Sequence, residues 1–235
     1  MSHFTVLVIG ENPEEQLTPF DENLETPRYV KYTKSSLIEK ERKRIEDYKN
    51  GTYAKFLADP IGYAQDCTND SHLEYLKNEF PKKLEMTDDE IYAKAISDYE
   101  QDEIGENGEV YSTYNPKSKW DWHQLGGRWA GVLKIKEGVD FKPPNFSWGW
   151  DEESKAELLR ERRTDSAKKG DITNLEELTT FAILINGEWI ERAEMGWFGI
   201  SYNEQSTSEE WGIKAQELIQ GLPAETLLSI YDCHI

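Results

Sequence analysis

Apolar residues occur in short runs that are typical of strands, and these runs are spread over the whole chain. Phe4–Ile9 is a largely β-branched, apolar run that ends at Gly10, so it predicts a strand buried on both faces. The pair Asn186-Gly187 separates the runs Thr180–Ile185 and Glu188–Arg192, which is the signal of a type I′ hairpin. Further strands are predicted over Val110–Tyr114, Gly131–Lys136 and Thr226–Tyr231.

Helix starts are marked by capping boxes, in which Ser or Thr is followed three residues later by Glu. Such boxes begin at Ser36, Thr87 and Thr207. Asp151 predicts the N-cap of a charged helix that runs to about Lys169. Residues 53–80 predict short helices broken at Asp59-Pro60. Residues 11–27 are polar and contain three prolines, which predicts an ordered loop.

These elements predict an α+β fold that forms one domain over residues 1–235. Its sheet is mainly antiparallel and takes strands from both termini and from the middle of the chain. A helical insertion at about residues 35–104 separates the first strand from the others. The two terminal strands are the most apolar and should be central, but periodicity does not decide whether they are neighbours.

Charge excludes several classes of function. The chain has 27 Lys plus Arg and 46 Asp plus Glu, a net charge of −19, which argues against generic binding to nucleic acid or to an anionic membrane. Aromatic residues make up 12%, which favours a folded protein over a disordered acidic chain. The sequence predicts neither a membrane span nor a signal peptide. We expect Cys67 and Cys233 to be reduced thiols rather than a disulfide.

The densest candidate site is the segment Trp120–Trp129, which holds three Trp, one His, one Arg and the pair Gly126-Gly127. Trp rings can stack on a nucleobase, Arg128 can form a fork to phosphate, and adjacent glycines allow close approach. The alternative is that the Trp side chains pack in the core and Arg128 pairs with an acid. The candidate ligand-binding residues here are Trp120, Trp122, His123, Gly126, Gly127, Arg128 and Trp129.

A second aromatic segment, residues 194–199, combines Glu194 and Trp197 with Gly196 and Gly199. Glu194 and Trp197 are further candidate ligand contacts. The alternative is an aromatic flap that packs over the sheet.

The termini carry a third candidate site. His3 opens the first strand, and Asp232 and His234 close the last one, on the same strand face. His3-Phe-Thr5 matches the His-x-Thr pattern of two-histidine phosphoesterases, but the second copy is absent because only Ile235 follows His234. These three residues are candidate catalytic groups. A metal site with His3 or a Glu as third ligand is the other interpretation, although we identify no compact metal motif.

Four segments together resemble a family of proteins encoded by tailed bacteriophages. They are Ser2–Gly10, Pro116–Trp129, Glu194–Gly199 and Asp232–Ile235. The resemblance implies no particular reaction. It implies that the protein works in the cytoplasm of a bacterial host and has an accessory role, such as counter-defence.

Three functions are consistent with these features. The favoured one is a phage accessory protein that binds a host protein or a nucleotide-like small molecule through the Trp and Gly-Gly-Arg segment. The second is a hydrolase or phosphodiesterase that uses His3, Asp232 and His234. The third is an acidic mimic of nucleic acid. The sequence indicates no particular cofactor and does not determine the oligomeric state.

Overall fold

The structure, a computed structural model, describes residues 2–195 and 200–235. The chain divides into two compact units, one formed by Met1–Glu25 with Tyr114–Ile235 and the other by Thr26–Thr113. Across the described residues, every helix is too short or too polar to cross a bilayer.

The first unit contains most of the strands. Its strands are β1 (His3–Ile9), β4 (Trp122–Leu125), β5 (Leu133–Lys134), β6 (Arg163–Thr164), β7 (Ser166–Lys168), β8 (Ala182–Ile185), β9 (Glu188–Glu191), β10 (Glu194–Met195), β11 (Ser201–Tyr202) and β12 (Leu227–His234). Its α-helices are α1 (Pro13–Leu17), α8 (Glu152–Arg160) and α9 (Ser208–Gly221).

The second unit is mainly helical and includes one two-stranded ribbon. The ribbon pairs β2 (Tyr29–Tyr32) with β3 (Val110–Ser112). The helices are α2 (Lys34–Tyr48), α3 (Ala54–Ala58), α4 (Pro60–Asp66), α5 (Asp70–Glu74), α6 (Phe80–Leu84) and α7 (Asp88–Ile96).

The main sheet confirms the predicted α+β class and the use of strands from both termini. Its order is β4-β12-β1-β8-β9, and β7 pairs with the other half of β12. β1 is antiparallel to β12 and parallel to β8. The pairing of β1 with β12 places His3 opposite His234 and Thr5 opposite Asp232.

The central strands are buried because both faces of the sheet are covered. One face packs Leu7 and Ile230 against Trp211 and Ile219 of α9. The other packs Val6 and Tyr231, together with neighbouring apolar residues, against the segment around α1. Alternate residues of each strand point to opposite faces, so His3 and Asp232 lie on the Leu7 side.

Several local predictions are confirmed. Thr87 and Thr207 each form a complete capping box at the start of α7 and α9. The turn between β8 and β9 has φ values of 52° at Asn186 and 75° at Gly187, the positive values that a type I′ turn requires. Asp59 caps α4 through its side chain.

Three boundaries differ from the predictions. The first half of the predicted loop at 11–27 contains α1, which carries Pro13 at its first position, a favoured place for proline. α2 begins before the predicted cap Ser36, because the Thr33 side chain accepts a hydrogen bond from the Ser36 N–H at 3.1 Å. The helix predicted to reach Lys169 ends at Arg160, because Arg162 has a φ of 60° that interrupts helical geometry.

Leu7→Ala should destabilise the protein by about 2–5 kcal/mol, because the side chain is fully buried in β1 and its removal leaves a cavity. Leu159→Ala is the matched control: this residue lies on α8 with 40% of its surface exposed, and the change should stay within about 0.5 kcal/mol. Urea unfolding of both variants measures the difference. Equal losses of stability would contradict the central position of β1.

Candidate functional site

The pairing of β1 and β12 brings the predicted catalytic residues together. His3 and His234 are direct partners across the two strands, and Asp232 is the partner of Thr5. The rings of His3 and His234 have centroids 4.9 Å apart and are inclined at 71°. Two imidazoles from opposite ends of the sequence therefore lie side by side.

Each imidazole is held by a carboxylate at Nδ1. His3 Nδ1 lies 2.7 Å from Oδ1 of Asp232, whose side chain is fully buried. His234 Nδ1 lies 2.6 Å from Oδ1 of Asp121, which is partly exposed. A carboxylate at this position fixes the orientation of the ring and favours a proton on Nδ1.

The second nitrogen of each ring remains available. The side chains of His3 and His234 are 18% and 13% exposed, and in the described part of the chain Nε2 of neither ring has a hydrogen-bond partner. When Nδ1 carries the proton, Nε2 has a lone pair that can accept another proton. The arrangement can therefore take up and release protons at two adjacent points.

Trp122 borders the pair of imidazoles. It is the partner of His234 across β4 and β12, and its ring lies 6.1 Å from that of His3 in an edge-on arrangement. With 44% of its surface exposed, Trp122 offers an aromatic face beside the histidines. A flat group that stacked on Trp122 would lie close to the His3 imidazole.

The Gly-Gly-Arg turn, residues 126–128, packs against Asp232 of the site. Gly127 has a φ of 62°, and a Cβ at this position would lie 2.6 Å from Cβ and from Oδ2 of Asp232. The Arg128 N–H donates to Oδ2 of Asp232 at 3.0 Å. Gly127 is thus required for the close approach that fixes Asp232, while the Arg128 side chain is exposed and forms no ion pair with the described residues.

A second buried carboxylate organises the same loop. Asp165 accepts a hydrogen bond from the Gly131 N–H at 2.7 Å and another from the Asn145 N–H. Burial raises the pKa of Asp165, and these two donors oppose the rise. Gly126, with a φ of 74°, packs directly against this carboxylate. Two acids therefore shape the turn that carries Arg128.

Other candidates from the Trp-rich segment lie elsewhere. Trp120 is buried in the core, and His123 packs edge-on against its ring at 4.5 Å on the face opposite His3. Trp129 is half-buried against the core beside α9. Trp120 and Trp129 therefore pack against the core, as the packing alternative expects for the Trp side chains, while Nε2 of the partly exposed His123 lies 3.4 Å from Oε2 of Glu14.

The aromatic segment after β9 is described only in part. Glu194 is exposed in β10 and accepts a hydrogen bond from Nδ2 of Asn203 at 3.1 Å. Trp197, the other predicted contact there, lies outside the described residues.

Sequence reasoning missed Asp121. It lies inside the Trp-rich segment, but its partner His234 is 113 positions away. Only the pairing of β4 with β12 places them together. The signal available in the sequence was an acid between two Trp residues, and it is weak in a chain with 46 acids.

The potential metal ligands and the two cysteines are the remaining candidate groups. Within residues 2–195 and 200–235, no group of three or more His, Cys, Asp or Glu is placed to hold a metal ion. Cys67 and Cys233 are free thiols. Burial raises the pKa of Cys233, which disfavours the reactive thiolate form.

Comparisons with protein-family models, curated proteins and solved structures found no match to this chain. The inference of a reaction therefore rests on the chemistry of the site.

Gly127→Ala should destabilise the protein by about 2–5 kcal/mol, because it adds a clash with Asp232 to the cost of a left-handed backbone. Gly138→Ala is the control, since Gly138 has a φ of 79° but no atom lies within 4 Å of the position that a Cβ would take. It should lose only about 1–2 kcal/mol. Urea unfolding of both variants measures their losses of stability. Similar losses would show that the position of Asp232 does not depend on the close approach of Gly127.

Proposed function

We propose that the protein is a hydrolase that cleaves a phosphodiester by proton transfer at His3 and His234. The observation that carries this proposal is the pair of rings 4.9 Å apart, each with Nδ1 held by a carboxylate. It favours the enzyme hypothesis over binding alone, because orienting two imidazoles in this way serves proton transfer.

The chemistry needs one base and one acid. A neutral imidazole takes a proton at Nε2 from the water molecule that attacks the phosphorus, and its carboxylate stabilises the imidazolium that forms. As the new P–O bond forms and the old one breaks, the second imidazole, in its protonated form, gives its proton to the leaving oxygen. The base thus ends with one proton more and the acid with one fewer, and exchange with water restores both.

Three further residues support a phosphodiester as the substrate. His3-Phe-Thr5 carries the His-x-Thr pattern, and the Thr5 hydroxyl accepts from the Phe181 N–H at 3.2 Å while keeping its own proton to donate. Arg128 follows the turn that holds Asp232, and its guanidinium is free to bind a phosphate oxygen. Trp122 supports a substrate that has a nucleobase.

Binding without catalysis is the second candidate, and the exposed Trp122 and Arg128 favour it. In this version the same surface captures a nucleotide-like signal or a host protein. The resemblance to bacteriophage proteins supports an accessory, counter-defence role in the cytoplasm of an infected bacterium for either candidate.

His3→Gln and His234→Gln should each lower kcat/KM for the hydrolysed diester by about 10²–10⁴-fold, because each removes one member of the acid–base pair. The double variant should lose little more than either single one, since the two residues act as a unit. The assay uses bis(4-nitrophenyl) phosphate, a dinucleoside monophosphate and cyclic nucleotides. His72→Gln, in the other unit, is the control and should keep full activity.

Two outcomes would decide against the hydrolase. Diester cleavage that survives in the double variant would place the chemistry elsewhere. If the wild type cleaves none of the diesters but calorimetry detects nucleotide binding that Trp122→Ala abolishes, the binding candidate is correct.

A further inference from the structure

A groove of about 410 Å³ lies among the helices of the Thr26–Thr113 unit. Its walls come from α2, from residues 75–86, which include α6, and from α7 with the residues that follow it. The volume falls within the range of sites for small molecules. All of its lining residues belong to this one unit, so it is separate from the histidine pair.

The floor of the groove is apolar and aromatic. Leu37, Phe80 and Ile91 are buried beneath it. The Tyr48 ring lies 4.6 Å from that of Phe80 and 5.9 Å from that of Tyr75. Such a wall suits a flat ring system, which can stack on it or meet it edge-on.

The rim is basic, although the chain as a whole has a net charge of −19. It carries four cationic and two acidic side chains. Arg44 is neutralised by Glu41 at 2.8 Å, and Lys40 donates to the hydroxyl of Tyr32 at 2.6 Å. A positive rim on an acidic protein favours an anionic occupant by charge complementarity.

Two rim lysines form no close salt bridge, although the charge of Lys94 acts on Glu79, which itself pairs with Lys82 at 2.8 Å. Within the described residues, neither Lys83 nor Lys94 has a carboxylate oxygen within 4.0 Å, despite the chain's 46 acids. Lys83 Nζ lies 5.2 Å above the Tyr75 ring, so the free charge is next to the aromatic wall. Both lysines also line an adjoining depression of about 330 Å³, and they mark the point where the two hollows meet.

We propose that this groove binds a small anion that carries a flat ring system, with the ring against Tyr48 and Tyr75 and the anionic group between Lys83 and Lys94. Mononucleotides and aromatic carboxylates share this chemistry. The site is independent of the proposed hydrolase site and needs no covalent step.

To test this, the full chain is titrated with adenosine 5′-monophosphate and, separately, with 2-naphthoate. Binding is measured by calorimetry and by changes in the NMR shifts of backbone amides. At least one probe should bind one-to-one with a Kd below about 1 mM and shift amides of α2 and α7. Adenosine, which has the same ring without the charge, should bind at least about ten-fold more weakly than the nucleotide if the nucleotide is the ligand. If only one of the two probes binds, it identifies whether the anionic group of the ligand is a phosphate or a carboxylate.

The double variant Lys83→Met with Lys94→Met should weaken binding at least about ten-fold. Lys94→Glu alone should have the same effect. Because Lys94 is exposed, this single substitution should leave the fold intact. The control is Lys43→Met with Lys55→Met, which removes the same charge from exposed positions outside the groove. It should bind like the wild type, as should His3→Gln with His234→Gln. Failure of both probes to bind, or equal loss in the control pair, would overturn the proposal.

Discussion

The antiparallel pairing of the first and last strands is the constraint on which the rest of the site depends. It joins His3 to Asp232 across 229 positions of sequence, and β12 in turn positions β4 with Trp122. Closing so long a loop costs conformational entropy, and the burial of β1 and β12 on both faces offsets that cost. The histidine pair exists only because this apolar pairing fixes the register.

Asp232 links stability to chemistry. A carboxylate buried without partners would cost several kcal/mol. Here Oδ1 contacts His3 and Oδ2 accepts the Arg128 N–H, so both oxygens are satisfied. The same contacts lock the ring of His3 and the Gly-Gly-Arg turn in place. This is the kind of supporting shell that keeps a reactive group in one geometry.

The fold was largely predictable from sequence, because apolar runs, capping boxes and the Asn-Gly turn are local signals. The boundaries of α2 and α8 were not, since they depend on the competing cap Thr33 and on the left-handed Arg162. At the site, the residue types His3, Asp232 and His234 could be proposed from the strand ends, but their proximity could not. Strand pairing, like the role of Asp121, is set by tertiary packing and leaves no local signal.

The tautomeric state of the two imidazoles tests the central claim most directly. NMR of the protein with ¹⁵N-labelled histidine reports which ring nitrogen carries the proton. We predict Nδ1–H in the neutral form of both His3 and His234, with the signal of His3 changed by Asp232→Asn and that of His234 by Asp121→Asn. Neutral rings protonated at Nε2, or signals unaffected by these substitutions, would contradict the carboxylate-held pair on which the proposed chemistry rests.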